Sequence, residues 1–222
     1  QDIRQRASGL PATPPTPPIP PTVGFGKALS FLNIGTVSQM QNYFKTNPSD
    51  SLKLTPPNTI EGWFRYVFPN PPANEFPSVL WGRSSGTAHQ FDQKFDDKLG
   101  LETTQLYDPA KSPRIAYTLP DTLPATFGSS QVYPDGWNHI AVTASNNEVK
   151  IFLNGKLDGS SNKILPTITN PTQFFIGKSH EAPNTYASFG GYTVDEVRIS
   201  KSIRYKEDFV PSNTPFNPDS DT

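Results

Sequence analysis

The residues able to do chemistry are few and scattered. Three histidines, His89, His139 and His180, lie far apart in the chain, and none has the spacing of a metal-ligand pair. Cysteine is absent, which removes thiolate metal sites, cysteine nucleophiles and disulfides. No G-x-S-x-G stretch marks a nucleophile elbow. Adjacent carboxylates include Asp96-Asp97, placed in an expected turn, and Asp195-Glu196. Neighbours on a strand point to opposite faces, so Asp195 and Glu196 do not flank one bond unless a bulge intervenes. Asp135, Asp158 and Asp195 are acids near strand ends, and hard oxygen donors of that kind suit calcium. Solvated loop carboxylates that bind nothing are the favoured reading of them, since most surface acids bind nothing specific. The expectation is a chain with no catalytic residues and no assigned metal, calcium being the one cofactor left open.

Aromatic residues are the stronger binding signal. Trp81, Tyr186, Phe189 and Tyr192 sit in or beside expected loops, where flat apolar faces with polar edges can stack on sugars.

The elements that would position these groups are strands. Trp137 to Gly155 holds two runs with a period of two. Ile140 and Val142 take one face, and Trp137, His139, Ala141 and Thr143 the other. Val149, Ile151 and Leu153 then oppose Lys150, Phe152 and Asn154. Asn146-Asn147 separates the runs, and Asn154-Gly155 is a strong hairpin signal because both residues tolerate positive φ. Further strands are expected at Phe25–Asn33, Thr59–Phe68, Ser78–Arg83, within His89–Thr103, at Ser112–Leu119, at Phe174–Gly177 and over 192–199. Aromatics on both faces of Thr59–Phe68, Phe64 on one and Trp63 on the other, predict that neither face is simply wet. Parity changes between Val194 and Val197, which predicts a β-bulge at Asp195-Glu196 aiming a carboxylate toward Arg198 or Arg65. Val37, Met40 and Phe44 have helical spacing and predict a short surface helix. Asp158 to Asn170 reads as a long polar loop, 120–135 as irregular, and Ser200–Asp208 as room for one helical turn.

These pieces resemble the laminin-G-like or pentraxin-like branch of the concanavalin A-like lectin/glucanase superfamily. The motifs are W-x-H-I-A-V-T followed by K-I-F-L-N-G, Thr59-Ile60-Glu61-Gly62-Trp63-Phe64, Phe175-Ile176-Gly177, and Gly191 to Ser200 with its D-E-V-R-I-S. They run in family order from about Gly24 to Phe216. The ending Arg204-Tyr205 to Phe209-Val210-Pro211 resembles that of such domains on phage virion proteins. The resemblance implies an all-β, two-sheet antiparallel jelly-roll sandwich with Trp63, Trp137, His139, Asp195 and Arg198 in structural roles. Glucanases of the superfamily carry an E-x-D-x-E strand that puts carboxylates on one face, and no such strand occurs here.

Organisation follows. Residues 1–23 form an extended arm, 24–216 the sandwich and 217–222 a polar tail. The arm's prolines, Pro14, Pro15, Pro17, Pro18, Pro20 and Pro21, favour polyproline II and make it a semi-rigid linker or a docking arm. The chain begins at Gln1, the mark of a removed leader or a longer parent. With 19 Lys+Arg against 20 Asp+Glu, charge gives no reason to expect nucleic acid, and no apolar run is long enough for a membrane helix. A virion decoration or capsid- or tail-associated protein, docked to other virion proteins through its arm and present in many copies or as a homo-oligomer, fits these features. A carbohydrate-binding module or extracellular adhesin domain recognising glycans is the alternative.

Overall fold

The computed structural model describes residues 26–33, 43–53, 55–67, 78–84, 102–107, 114–118, 126–133, 136–162, 172–177 and 190–222. Among the described residues, twelve strands build two six-stranded antiparallel sheets. Sheet A is ordered β1 (Leu29–Asn33), β12 (Gly190–Ser200), β3 (Asn58–Val67), β8 (Trp137–Ala144), β9 (Glu148–Leu153), β10 (Lys156–Asn162). Sheet B is ordered β2 (Phe44–Lys45), β11 (Gln173–Ile176), β4 (Ser78–Ser84), β5 (Glu102–Tyr107), β6 (Arg114–Thr118), β7 (Thr126–Phe127). The chain passes between the sheets at β1/β2, β2/β3, β3/β4, β7/β8, β10/β11 and β11/β12, and these crossings stack the two sheets as a sandwich.

Period-two patterning explains the core. Ile60, Phe64, Ile140, Val142, Val149, Ile151, Leu153 and Val194 of sheet A meet Leu80, Trp81, Ile115, Tyr117, Phe174 and Ile176 of sheet B in one buried cluster. The meander β8–β9–β10 forms as its alternation requires, with Ile140 opposite Leu153 and Val142 opposite Ile151. Asn154 (φ 53°) and Gly155 (φ 78°) close the second hairpin in left-handed backbone, the conformation these two residues tolerate.

Several expectations are corrected. Phe44 is not on a helix packed against the sandwich; it is an exposed residue of β2, which pairs with β11. The rest of that expected helix lies outside the described residues, as do the proline arm, the Pro69–Pro77 loop and the Asp96-Asp97 turn. Asp158–Asn170 is not loop throughout, because β10 runs to Asn162. Its Lys-Leu-Asp-Gly-Ser-Ser-Asn text hides the strand, since an edge needs only one paired side and shows little apolar alternation. Thr126–Phe127 adds a short strand inside the segment expected to be irregular. No helical turn forms in 200–208.

The edge of β10 is fixed to sheet B by a bulge between Leu157 and Gly159 that turns Asp158 inward. Its Oδ1 accepts the Ser130 amide at 2.8 Å and the Ser129 hydroxyl at 3.2 Å. A Cβ on Gly128 would fall 2.1 Å from Asp158 Oδ2, so glycine alone admits this approach. In chemical denaturation, Ile151→Ala is expected to remove about 2–5 kcal/mol of stability by opening a cavity between the sheets. Ser160→Ala, on the exposed side of β10, is expected to stay within about 0.5 kcal/mol.

Candidate functional site

The densest constellation of polar and aromatic side chains lies on the outer face of sheet A. On β3, β8 and β12 the residues that alternate with the core are Glu61, Trp63, His139 and Arg198, brought together by register: Glu61 opposite Arg198, Trp63 opposite His139. Arg198 reaches Glu61 Oε1 with Nε at 2.8 Å and Nη2 at 2.7 Å. The Tyr205 hydroxyl donates to Oε2 at 2.8 Å, and His139 Nε2 stands 3.2 Å from the same oxygen. Glu61 and His139 are both wholly buried.

What buries them is the chain's own end. After Ser200, residues 201–222 turn back across sheet A as a strap. Tyr205 and Phe209 stack face to face with centroids 3.5 Å apart. Phe209 meets Phe152 at 5.5 Å and His139 at 5.6 Å, both edge-on. The Phe216 ring lies 4.1 Å from the Arg198 guanidinium carbon, a cation–π contact on a desolvated cation. Backbone bonds seat the strap at both ends: Phe209 N donates to Gly155 O at 2.8 Å, and Phe216 N to the Glu196 carboxylate. Thr59 Oγ1 donates to Ser202 O at 2.7 Å and accepts the Arg204 amide at 3.0 Å. Asp219 grips Arg204 through both oxygens, at 2.7 and 2.8 Å. The residues expected as a separate polar tail are thus pinned to the strap.

Electrostatics match this geometry. Burial pushes the Glu61 carboxyl up, but the His139 ring, the Tyr205 hydroxyl and the Arg198 charge together hold it below the ordinary value. Burial, then the neighbouring Glu61 carboxylate, raises the Tyr205 hydroxyl and keeps it a donor. At the strap's outer anchors, hydrogen bonds lower two exposed carboxyls. Asp208 is held down by the Leu157 amide and Lys156, and Asp219, bonded by Arg204 and Thr222, falls to about 2.

The structure places the sequence-derived residues as follows. Trp81, expected to face a sugar, is 1% exposed and packs on Phe64 at 5.0 Å, because a bulge at Val79/Trp81 turns it into the core. Tyr186 and Phe189 lie outside the described residues. Tyr192 stands on β12 opposite Tyr66 and Phe31. Trp63 is buried edge-on to His139 at 5.2 Å, and Trp137 is half-buried opposite Arg65. His139 lies on the outer face of sheet A, the face opposite Ile140 and Val142, under Phe209 and Phe216 of the strap. The bulge falls between Asp195 and Arg198 as the parity change requires, with Glu196 at φ 50°. Neither acid turns to Arg198, however. Asp195 accepts the Glu196 amide, Glu196 receives Phe216, and the partner of Arg198 is Glu61. Glu61 is the residue sequence reasoning passed over, although a carboxylate sharing Trp63's face in a strand aromatic on both faces marked it.

Among the described residues no group of three or more His, Asp or Glu side chains could hold a metal ion. Asp158 and Asp195 are already bonded to protein amides.

Residues 38–208 match a laminin-G family model of the concanavalin A-like lectin/glucanases superfamily. The chain belongs to this superfamily. Its sandwich is similar to mouse laminin α1 domains LG4-5, at 14% identity and a TM-score of 0.50, covering 87% of this chain and 48% of that one. The heptameric SAP-like pentraxin of Limulus polyphemus aligns at 10% identity and a TM-score of 0.46, covering 66% and 64% of the respective chains. The CBM40 of Ruminococcus gnavus IT-sialidase, in a structure bound to α2,3-sialyllactose, aligns at 16% identity and a TM-score of 0.47, covering 73% and 82%. The chain thus spans less than two thirds of the pentraxin and about half of the laminin chain. No curated protein matches it. Among the described residues no helix is long and apolar enough to cross a membrane.

Two outcomes check this site. Glu61→Gln removes the charge that satisfies buried Arg198 and is expected to cost about 3–5 kcal/mol in denaturant unfolding. A carboxyl with a lower pKa in the folded state stabilises the fold above its unfolded value, and that contribution fades as pH falls toward the folded one. For Asp219 the window runs from the ordinary 3.8 down to about 2, and Asp208 and Glu61 act in the same direction. Acidification through this range is expected to strip hydrogen-exchange protection from the Phe209 and Phe216 amides, with the Asp219 share absent in Asp219→Asn.

Proposed function

We propose that the protein is a non-catalytic carbohydrate-binding module that recognises glycans on the sandwich margins away from the strap. The observation that carries this reading is the lectin-superfamily match over residues 38–208, taken with the chemistry of the described acids. Glu61 is buried in an ion pair, Asp158 is pinned to Ser129 and Ser130, and Glu196 anchors the strap. A carboxylate pair flanking a glycosidic bond has to face a sugar-sized groove; these three are committed to holding the fold. Because the strap lies across the outer face of sheet A, this reading puts the glycan on the sandwich margins rather than on that face. In this proposal Tyr186 and Phe189 are the residues that stack on the sugar, with loop amides as its polar contacts. The reading makes no use of calcium; Asp158 is buried and bonded through Oδ1 to Ser129 and Ser130, and Asp195 accepts the Glu196 amide.

A second reading, display on a virion or cell surface in several copies, is favoured by one feature of the chain. The Arg204-Tyr205…Phe209-Val210-Pro211 ending that resembles phage virion domains is the strap itself. The proline arm, with Pro14, Pro15, Pro17, Pro18, Pro20 and Pro21, supplies a spacer to a partner protein. Both readings hold together if the displayed module binds glycans.

On a glycan array the protein is expected to retain specific glycans in the presence of EDTA. Tyr186→Ala or Phe189→Ala should weaken that binding roughly tenfold, the worth of one lost aromatic stack, with the unfolding midpoint unchanged. Trp81→Ala should instead lower stability. Absence of any glycan binding, or turnover of a polysaccharide, would overturn the reading.

A further inference from the structure

The turn between β9 and β10 is the seat of the strap. Asn154 Oδ1 accepts the His139 amide at 2.8 Å, its own amide donates to His139 O at 2.8 Å, and its Nδ2 lies 3.4 Å from Asn138 Oδ1. One residue on, Gly155 O accepts the Phe209 amide at 2.8 Å. A Cβ on Gly155 would fall 2.0 Å from Phe209 O and 2.7 Å from Pro211 Cδ, so the strap lies directly on this glycine. The dipeptide also carries a reaction of its own. An unhindered glycine amide nitrogen can attack the carboxamide carbon of a preceding asparagine. The new C–N bond closes a five-membered succinimide, the C–NH2 bond breaks and ammonia leaves. Water then opens the ring to aspartate or isoaspartate, and no oxidant or other reagent is needed.

We propose that Asn154 is a modification site: the folded turn holds off its deamidation, and once it occurs the product unlatches the strap. Three features oppose the reaction in the closed turn. The Asn154 carboxamide is bonded from two sides, Gly155 is buried under the strap, and both residues are fixed in left-handed backbone. Attack therefore needs the turn to open, and the rate follows the open fraction. The products do not fit the closed turn. Aspartate puts a second acceptor where Nδ2 faced Asn138 Oδ1, leaving two oxygens opposed without a proton. Isoaspartate adds an atom to the main chain of a two-residue turn, which moves Gly155 O from beneath the Phe209 amide. The strap thereby loses its central backbone bond, and Phe209 its place against Phe152 and His139.

The experiment incubates the full chain in mildly alkaline buffer, folded and in denaturant, and follows Asn154 by peptide mass and isoaspartate content. Deamidation at Asn154 is expected to be at least roughly tenfold slower in the folded protein, in line with exchange through local opening. The aged, isoaspartate-containing fraction is then expected to show faster hydrogen exchange at Phe209 and easier proteolysis within 201–222 than the unaged protein, with the β8 and β9 amides still protected. Asn154→Asp should reproduce the loosened strap; if that variant fails to fold, the aged fraction decides alone. Equal rates in folded and unfolded chains would overturn the shielding, and an isoaspartate fraction with an unchanged strap would overturn the latch.

Discussion

A carboxylate buried on the outside of a sheet is an unusual thing for a sandwich to keep, and Glu61 governs what surrounds it. Taking that charge out of water costs several kcal/mol unless every lone pair is met. Arg198 from β12 and the Tyr205 hydroxyl bond its two oxygens, and His139 Nε2 stands 3.2 Å from Oε2. Arg198 in turn needs cover, which Phe216 supplies from above. The requirement runs outward from one atom pair until it includes 201–222, so these residues belong to the fold. The strap's own anchors, Gly155 O for Phe209 and Thr59 Oγ1 for Arg204, are backbone and hydroxyl groups of the same sheet. Cover and covered thus hold each other.

This arrangement divides the molecule's labour. Sheet A presents its inner residues to the core and gives its outer face to the strap, so neither surface is open to a ligand. The bulge at Asp195/Arg198 serves the same end: it puts Val197 against Gly62 on the inner side while freeing Glu196 to receive Phe216. At the opposite edge, Asp158 and the glycines at 128 and 159 bring β10 against β7, where a Cβ on Gly159 would meet Phe127 O at 2.2 Å. The β10 edge of sheet A is thereby fixed against sheet B. Fixed sheets with variable loops are the usual arrangement by which a shared scaffold takes on different ligands.

Much of this was legible in the chain. Alternation in Ile140–Val142 and Val149–Leu153 is enforced by a core on one side, and Asn154-Gly155 by the backbone twist a two-residue turn needs. The parity break before Val197 located the bulge because an unbroken strand would have put an apolar residue on the wrong face. Trp63 and Phe64 on opposite faces signalled a covered outer surface, but not the cover, since pairing between Glu61 and Tyr205 spans 144 residues and leaves no local trace. Trp81 misled for a similar reason: its burial depends on a bulge that the Val79-Leu80-Trp81 text does not announce. The strand β10 was missed because an edge that keeps its apolar content low, as protection against pairing with other chains, reads as loop. Phe44 followed helical spacing that the pairing of β2 with β11 overrode.

The central claim, that the strap is part of the sandwich because it completes the burial of Glu61 and its neighbours, is tested most directly by a chain ending at Lys201. Tryptophan quenching by acrylamide, followed alongside denaturant unfolding, reads both halves of the claim. The account predicts that Trp63 becomes accessible to quencher and that the unfolding midpoint drops sharply, with the native signal lost altogether if Arg198 and Glu61 cannot stay paired in water. A truncated chain with an unchanged midpoint and unchanged quenching would contradict it.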